Sequence, residues 1–99
     1  MNMQKILQEA QKMQAQLQKD QKELEATIYE GVSSIVSVKM NGKYEVISVD
    51  LNLTDGITVD DKDMLEDMIQ VAVNDAVKKI SSAKEKKMGR YGQGLAGLM

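Results

Sequence analysis

The residues of this chain best suited to chemistry are its lysines. Lys5, Lys12 and Lys19 recur at intervals of seven. Seven residues is nearly two helical turns, so the three ammonium groups share one face of a helix. Lys22 lies close to that face. Glutamines at 4, 8, 11, 14, 16, 18 and 21 surround them. Ammonium and amide groups together can bind phosphate and sugar without reading bases. A second group lies at residues 78–90, where Lys78, Lys79, Lys84, Lys86, Lys87 and Arg90 stand against Glu85 alone. Helix-dipole complementation explains a few cations at a helix end, but hardly six in thirteen residues. Either group could also be an ordinary solvated face.

Other chemistries lack their residues. The chain has no Cys and no His. Thiol nucleophiles, disulfides and the usual zinc sites are therefore out of reach, and the commonest general base is missing. The acids Asp50, Asp55, Asp60, Asp61, Asp63, Glu66 and Asp67 crowd one stretch. They do not follow the order of a calcium-binding loop. They read as helix capping and solvated surface. The glycines of the segment GRYGQGLAGLM follow no strand and open no helix, which a phosphate cradle would require. The expectation is a protein with no catalytic residues, no metal, no cofactor and no small-molecule substrate.

Net charge is −2 and the isoelectric point is about 5.1. A polyanion responds to local charge, however, and the acids of residues 50–67 are segregated from the bases of residues 78–90. Lys5 is followed by an alternating polar pattern rather than the apolar run of a signal peptide. No stretch approaches the roughly 20 apolar residues of a membrane span. The expected location is the cytoplasm, without a membrane partner. A membrane-surface helix is disfavoured, because residues 2–29 lack bulky aromatic anchors such as Trp or Phe and carry no net positive charge.

The elements that must position these lysines are legible in outline. Residues 2–29 read as one long helix, with Met3, Ile6, Ala10, Met13, Leu17 and Leu24 forming a heptad-like seam. Asp20 falls where the next apolar residue belongs, and Gly31 is the expected stop. Residues 32–40 and 43–52 read as a β-hairpin about Asn41-Gly42, a dipeptide suited to a two-residue type I′ turn. That turn would pair Val38 with Glu45 and Val36 with Ile47. Ile35, Tyr44 and Val46 then fall on the face opposite the main apolar row. Ile57–Val59 supplies a short third strand. Residues 61–88 read as a second long helix, with Asp60 as N-cap, Asp63 as capping partner and Gly89 as the stop.

The fold class is therefore α+β: helix, three-stranded antiparallel sheet, helix. Residues 1–88 form a single domain and residues 89–99 a flexible Gly-rich tail. Aromatic residues are Tyr29, Tyr44 and Tyr91 only. A core without Phe or Trp is thin, which points to a homodimer in which a second copy completes it. Ile35, Tyr44 and Val46 are the candidate interface residues.

The order of motifs also resembles a known family. D-K-D-M-L-E-D-M-I-Q-V-A-V-N-D-A at 61–76 carries the strongest likeness. M-Q-K-I-L-Q-E-A-Q-K-M-Q at 3–14, V-K-M-N-G-K-Y-E-V-I-S-V-D at 38–50 and the Gly/Leu/Met tail support it. The chain resembles the YbaB/EbfC family of nucleoid-associated proteins over nearly its whole length. The resemblance implies an α-β-β-β-α fold, a homodimer joined through its sheets, and nucleoid-associated binding of duplex DNA. It assigns no chemical role to Asn74-Asp75-Ala76. The expected DNA contacts are Lys5, Lys12, Lys19 and Lys22 of helix 1, with Lys78, Lys79, Lys84, Lys86, Lys87 and Arg90 of helix 2. The alternative is a protein-interaction module that docks a partner helix on the helix 1 seam.

Overall fold

A computed structural model describes residues 2–96, and the side chains of residues 2–89. The element order is α1 (Met3–Ala26), β1 (Ile28–Ser33), β2 (Val36–Asn41), β3 (Val46–Leu51), a 3-10 turn (Val59–Asp61) and α2 (Lys62–Ala96). This is the expected α+β architecture with a three-stranded antiparallel sheet, in the order β1-β2-β3. The molecule is elongated, 71 × 20 × 14 Å.

Two expectations about element boundaries fail together. Helix α1 ends at Ala26, not at Gly31. Thr27 closes it, its backbone N–H and hydroxyl both donating to the Glu23 carbonyl. Ile28–Ser33 is then a strand, and it replaces Ile57–Val59 as the third member of the sheet. Ile28, Tyr29 and Val32 are aromatic or β-branched and fit a strand better than a helix. Gly31 sits mid-strand for steric reasons. A Cβ there would overlap the Ala72 carbonyl and Ala76 N, and would lie 2.9 Å from the Ala76 Cβ. Three small residues thus let β1 and α2 approach closely.

The hairpin is present in a different register. β2 and β3 pair Val36 with Leu51, Val38 with Val49 and Met40 with Val46, with a bulge near Lys39/Met40. The connection is wider than a two-residue turn. Asn41 N–H donates to the Glu45 carbonyl at 3.0 Å, and Tyr44 N–H donates to the Asn41 carbonyl at 3.0 Å. Tyr44 holds the left-handed conformation, φ 63. This is a three-residue loop in which a turn is followed by a left-handed residue. The Asn41 carboxamide fastens it, accepting from Lys43 N–H and Glu45 N–H. Gly42 serves proximity rather than positive φ. A Cβ there would collide with the Leu24 carbonyl of α1.

Helix α2 lies across β1 and β2, with β3 outside its footprint. Val36, Val38 and Ala72 form one buried cluster and Met40, Ala76 and Ile80 the next. The cap of α2 is also shifted from the expected Asp60–Asp63 pair. Thr58 N–H donates to Asp61 Oδ2 at 3.0 Å, ahead of the 3-10 turn. At the other end, α2 runs through Gly89 to Ala96. Residues 97–99 of the expected tail lie outside the described residues.

Helix α1 is held at its C-terminal end. Leu24 is buried, and Lys87 of α2 pairs with Glu23 at 2.9 Å. Asp20, at the break in the seam, is 3% exposed and accepts from Gln16 at 3.0 Å. Toward the N-terminus the seam opens to solvent, with Met3 and Ile6 exposed, as is Leu7, which widens it.

Candidate nucleic-acid interface

The basic half of α2 contains lysines of two kinds. Lys79 and Lys87 are already engaged. Lys79 Nζ bonds Asp75 at 3.2 Å and donates to the Glu30 carbonyl at 2.7 Å. Lys87 is half-buried against Glu23, and that hydrogen bond raises its pKa above the ordinary lysine value. Both hold α2 to the rest of the chain. Lys84 stands between the two kinds, exposed but with its Nζ 5.6 Å from the centre of the Tyr44 ring. At that distance a cation is attracted to the aromatic face.

Lys78 and Lys86 differ. Both are exposed, and neither forms an ion pair among the described residues. They line one open depression on α2, together with Asp75, Lys79, Ser82 and Ala83. Their spacing of eight residues is roughly 12 Å along the helix. An open depression with ammonium groups at intervals can follow a phosphate backbone. The side chain of Arg90 lies outside those described.

The stripe on α1 is intact. Lys5, Lys12, Lys19 and Lys22 are all exposed. The same helix carries Glu9, Asp20, Glu23 and Glu25, so it has no net charge. A further group of acids collects elsewhere. Asp60, Asp61, Asp63, Glu66 and Asp67 sit at the start of α2, where Lys62 bridges Glu66 at 2.7 Å. From Asp63 to Lys84 is roughly 30 Å along the helix. That is several times the screening length of about 8 Å at physiological salt. The acids at the start of α2 are therefore screened from Lys84 and Lys86, and the acids that lie among the α2 lysines are Asp75 and Glu85.

The candidate interface residues Ile35, Tyr44 and Val46 are not brought onto one face. Ile35 lies in the β1–β2 turn and packs on the Val36–Val38–Ala72 cluster. Tyr44 lies in the hairpin loop and shares a hydrogen bond with Ser81 of α2 at 3.2 Å. Val46 is opposite Met40, so it faces the helix side of the sheet, yet it is half exposed. The β2–β3 bulge and three-residue loop reposition Tyr44 and Val46, and the pairing of β1 with β2 puts Ile35 in a turn.

Sequence reasoning missed two features here. Lys43, in the hairpin loop, lines a depression with Lys22 of α1. Its signal was present, a lysine inside the turn, but its neighbour is a helix distant in sequence. Asp75 received no role, yet its carboxylate accepts the Val32 backbone N–H at 3.0 Å. That bond, with help from Lys79, holds its pKa below the ordinary carboxylate value.

A family model described as the YbaB/EbfC DNA-binding family matches residues 1–95. The chain belongs to the YbaB/EbfC DNA-binding family. Its relatives within that scope include a nucleoid-associated protein of Chloroflexus aurantiacus, 43% identical over 99% of this chain and 99% of that protein. A nucleoid-associated protein of Ligilactobacillus salivarius is 39% identical over 99% of this chain and 95% of its own length. The fold of this YbaB/EbfC member also matches the crystal structure of an uncharacterized protein from Helicobacter pylori. The TM-score is 0.63 at 19% identity, covering 100% of this chain and 99% of that one. No helix among the described residues is long and apolar enough to cross a membrane.

Proposed function

We propose that this YbaB/EbfC protein is a cytoplasmic, nucleoid-associated homodimer that binds duplex DNA through phosphate contacts with little base readout, and that it is not an enzyme. The observation that carries the reading is the division of labour among the α2 lysines. Lys79 and Lys87 are spent on the fold, while Lys78 and Lys86 stay exposed along one depression. The names of the relatives, nucleoid-associated proteins, support the same reading.

Homodimer formation is supported by β3. Val46 and Val49 face the helix side of the sheet but lie outside the footprint of α2, and Ile47 at the bulge is 54% exposed. A second copy would cover this apolar row. It would also double the lysine patches and let them act together.

The deciding experiment is duplex DNA binding across a salt series. The reading expects binding at low salt, with log affinity falling linearly in log salt. No binding at low salt, or an affinity indifferent to salt, overturns it. A second reading, a partner helix docked on the α1 seam, is favoured by the exposure of Met3, Ile6 and Leu7. Ile6→Gln/Leu7→Gln, which adds no charge beside Lys5, should abolish that interaction and leave DNA affinity unchanged.

A further inference from the structure

We propose that the β2–β3 loop is itself a phosphate-binding element, acting through Lys43 together with Lys22, and that it joins the lysine stripe of α1 to the basic half of α2. The inference rests on the DNA-binding reading above and adds a binding point that neither helix supplies alone.

The loop is wedged between the two helices. On one side, Gly42 N–H donates to the Glu25 carbonyl at 3.3 Å, which fixes the loop against the end of α1. On the other, Tyr44 meets α2 through Ser81 at 3.2 Å and through the Lys84 ammonium over its ring. Lys43 stands between these anchors. It is exposed, and it shares a depression with Lys22, Glu25 and Asn41. Glu25 is the one acid in the lining of that depression, and Glu45 lies next to it with its carboxylate held by the Asn41 side-chain amide at 3.1 Å, which leaves both ammonium groups exposed. The exposed cations then run from Lys19 and Lys22 on α1, through Lys43, to Lys84 on α2.

Two further facts suit this site to an anion. A helix C-terminus ordinarily repels one through its free carbonyls. Here the Glu23, Leu24 and Glu25 carbonyls accept from Thr27 and Gly42. The loop is also rigid in design. Asn41 accepts two loop N–H groups, and Tyr44 keeps a left-handed backbone that a non-glycine residue adopts at a cost. An ordered loop loses little freedom on binding.

The test compares full-length chains in duplex DNA binding across a salt series. Lys22→Gln/Lys43→Gln is set against Lys39→Gln/Lys62→Gln, which removes the same charge elsewhere on the surface. Circular dichroism establishes that both are folded. The expected result is a weaker affinity and a shallower salt slope for the first variant, by about one for each phosphate that is no longer neutralised. The second variant should match the parent. If the loop variant keeps the parental slope while Lys78→Gln/Lys86→Gln flattens it, the loop proposal fails and the DNA-binding reading stands. If both charge-matched variants weaken equally, the effect is general charge and the proposal also fails. If the parent itself does not bind duplex DNA, both fall.

Discussion

Asp75 of α2 and Val32 of β1 are joined by a hydrogen bond of 3.0 Å, from a backbone N–H at the edge of the sheet to a helix carboxylate. One turn later, Lys79 donates to the Glu30 carbonyl on the same edge. An i,i+4 charged pair thus occupies polar groups that a neighbouring strand would otherwise take. Exposed strand edges invite pairing with other chains. The edge of β1 is guarded in this way, and the edge formed by β3 has no such side-chain guard among the described residues.

Asp75→Ala should therefore lower stability and promote self-association. The urea midpoint should fall, and light scattering should rise on storage. Asp75→Asn keeps an oxygen acceptor but loses the charge, and should lie between the two. An Asp75→Ala midpoint equal to the parent would show the bond to be dispensable.

The same bond sets an acid dependence. The folded pKa of Asp75 lies below the ordinary aspartate value of 3.8, because Val32 N–H and Lys79 favour the carboxylate. A depressed pKa adds stability above the unfolded value, and that stability is lost as pH falls through the folded value. The parent should lose its advantage over Asp75→Asn only below about pH 4. An advantage unchanged at lower pH contradicts this assignment.

Lys87 has the opposite sign. Its hydrogen bond to Glu23 raises the folded pKa above 10.5. The stability it adds is complete below the unfolded value and disappears as pH rises through the folded one. The difference in urea midpoint between the parent and Lys87→Gln should be constant from neutral pH to about pH 10 and shrink beyond it. A difference that grows with alkali would be inconsistent with the pair.

Two glycines should respond differently to alanine. At Gly31 a Cβ meets backbone atoms of α2, which cannot move without shifting the helix. Overpacking of this kind costs about 3 kcal/mol or more. At Gly56 the surroundings are open and only the φ of +78 is unfavourable, which costs about 1 kcal/mol. Denaturant titration of the two variants should separate them. Equal losses would refute the close approach of β1 and α2.

Charge reversal should sort the α2 lysines. Lys78→Glu/Lys86→Glu should weaken duplex DNA binding and leave the thermal midpoint near that of the parent. Lys79→Glu and Lys87→Glu should each lower the midpoint, since both lysines bond other elements. If all four behaved alike in the thermal assay, the division between binding and structural lysines would be wrong.

The sequence by itself determined the class of fold, the two long helices and the segregation of charge along α2. These depend on local pattern: period, helix-forming residues and the spacing of lysines. It also carried the family, through motifs in a set order. The register of the hairpin was beyond it. Asn41-Gly42 suits a two-residue turn locally, but Gly42 is required because the end of α1 passes beside it. Gly31 likewise reads as a helix stop, and only the packing of Ala72 and Ala76 explains it as a point of close approach. Tertiary structure alone decided which lysines are engaged, since Lys79 and Lys87 find partners 49 and 64 residues away. No local pattern encodes a partner at that separation. Spacing can place a cation on a helix face, but it takes the folded chain to show whether another group has already claimed it.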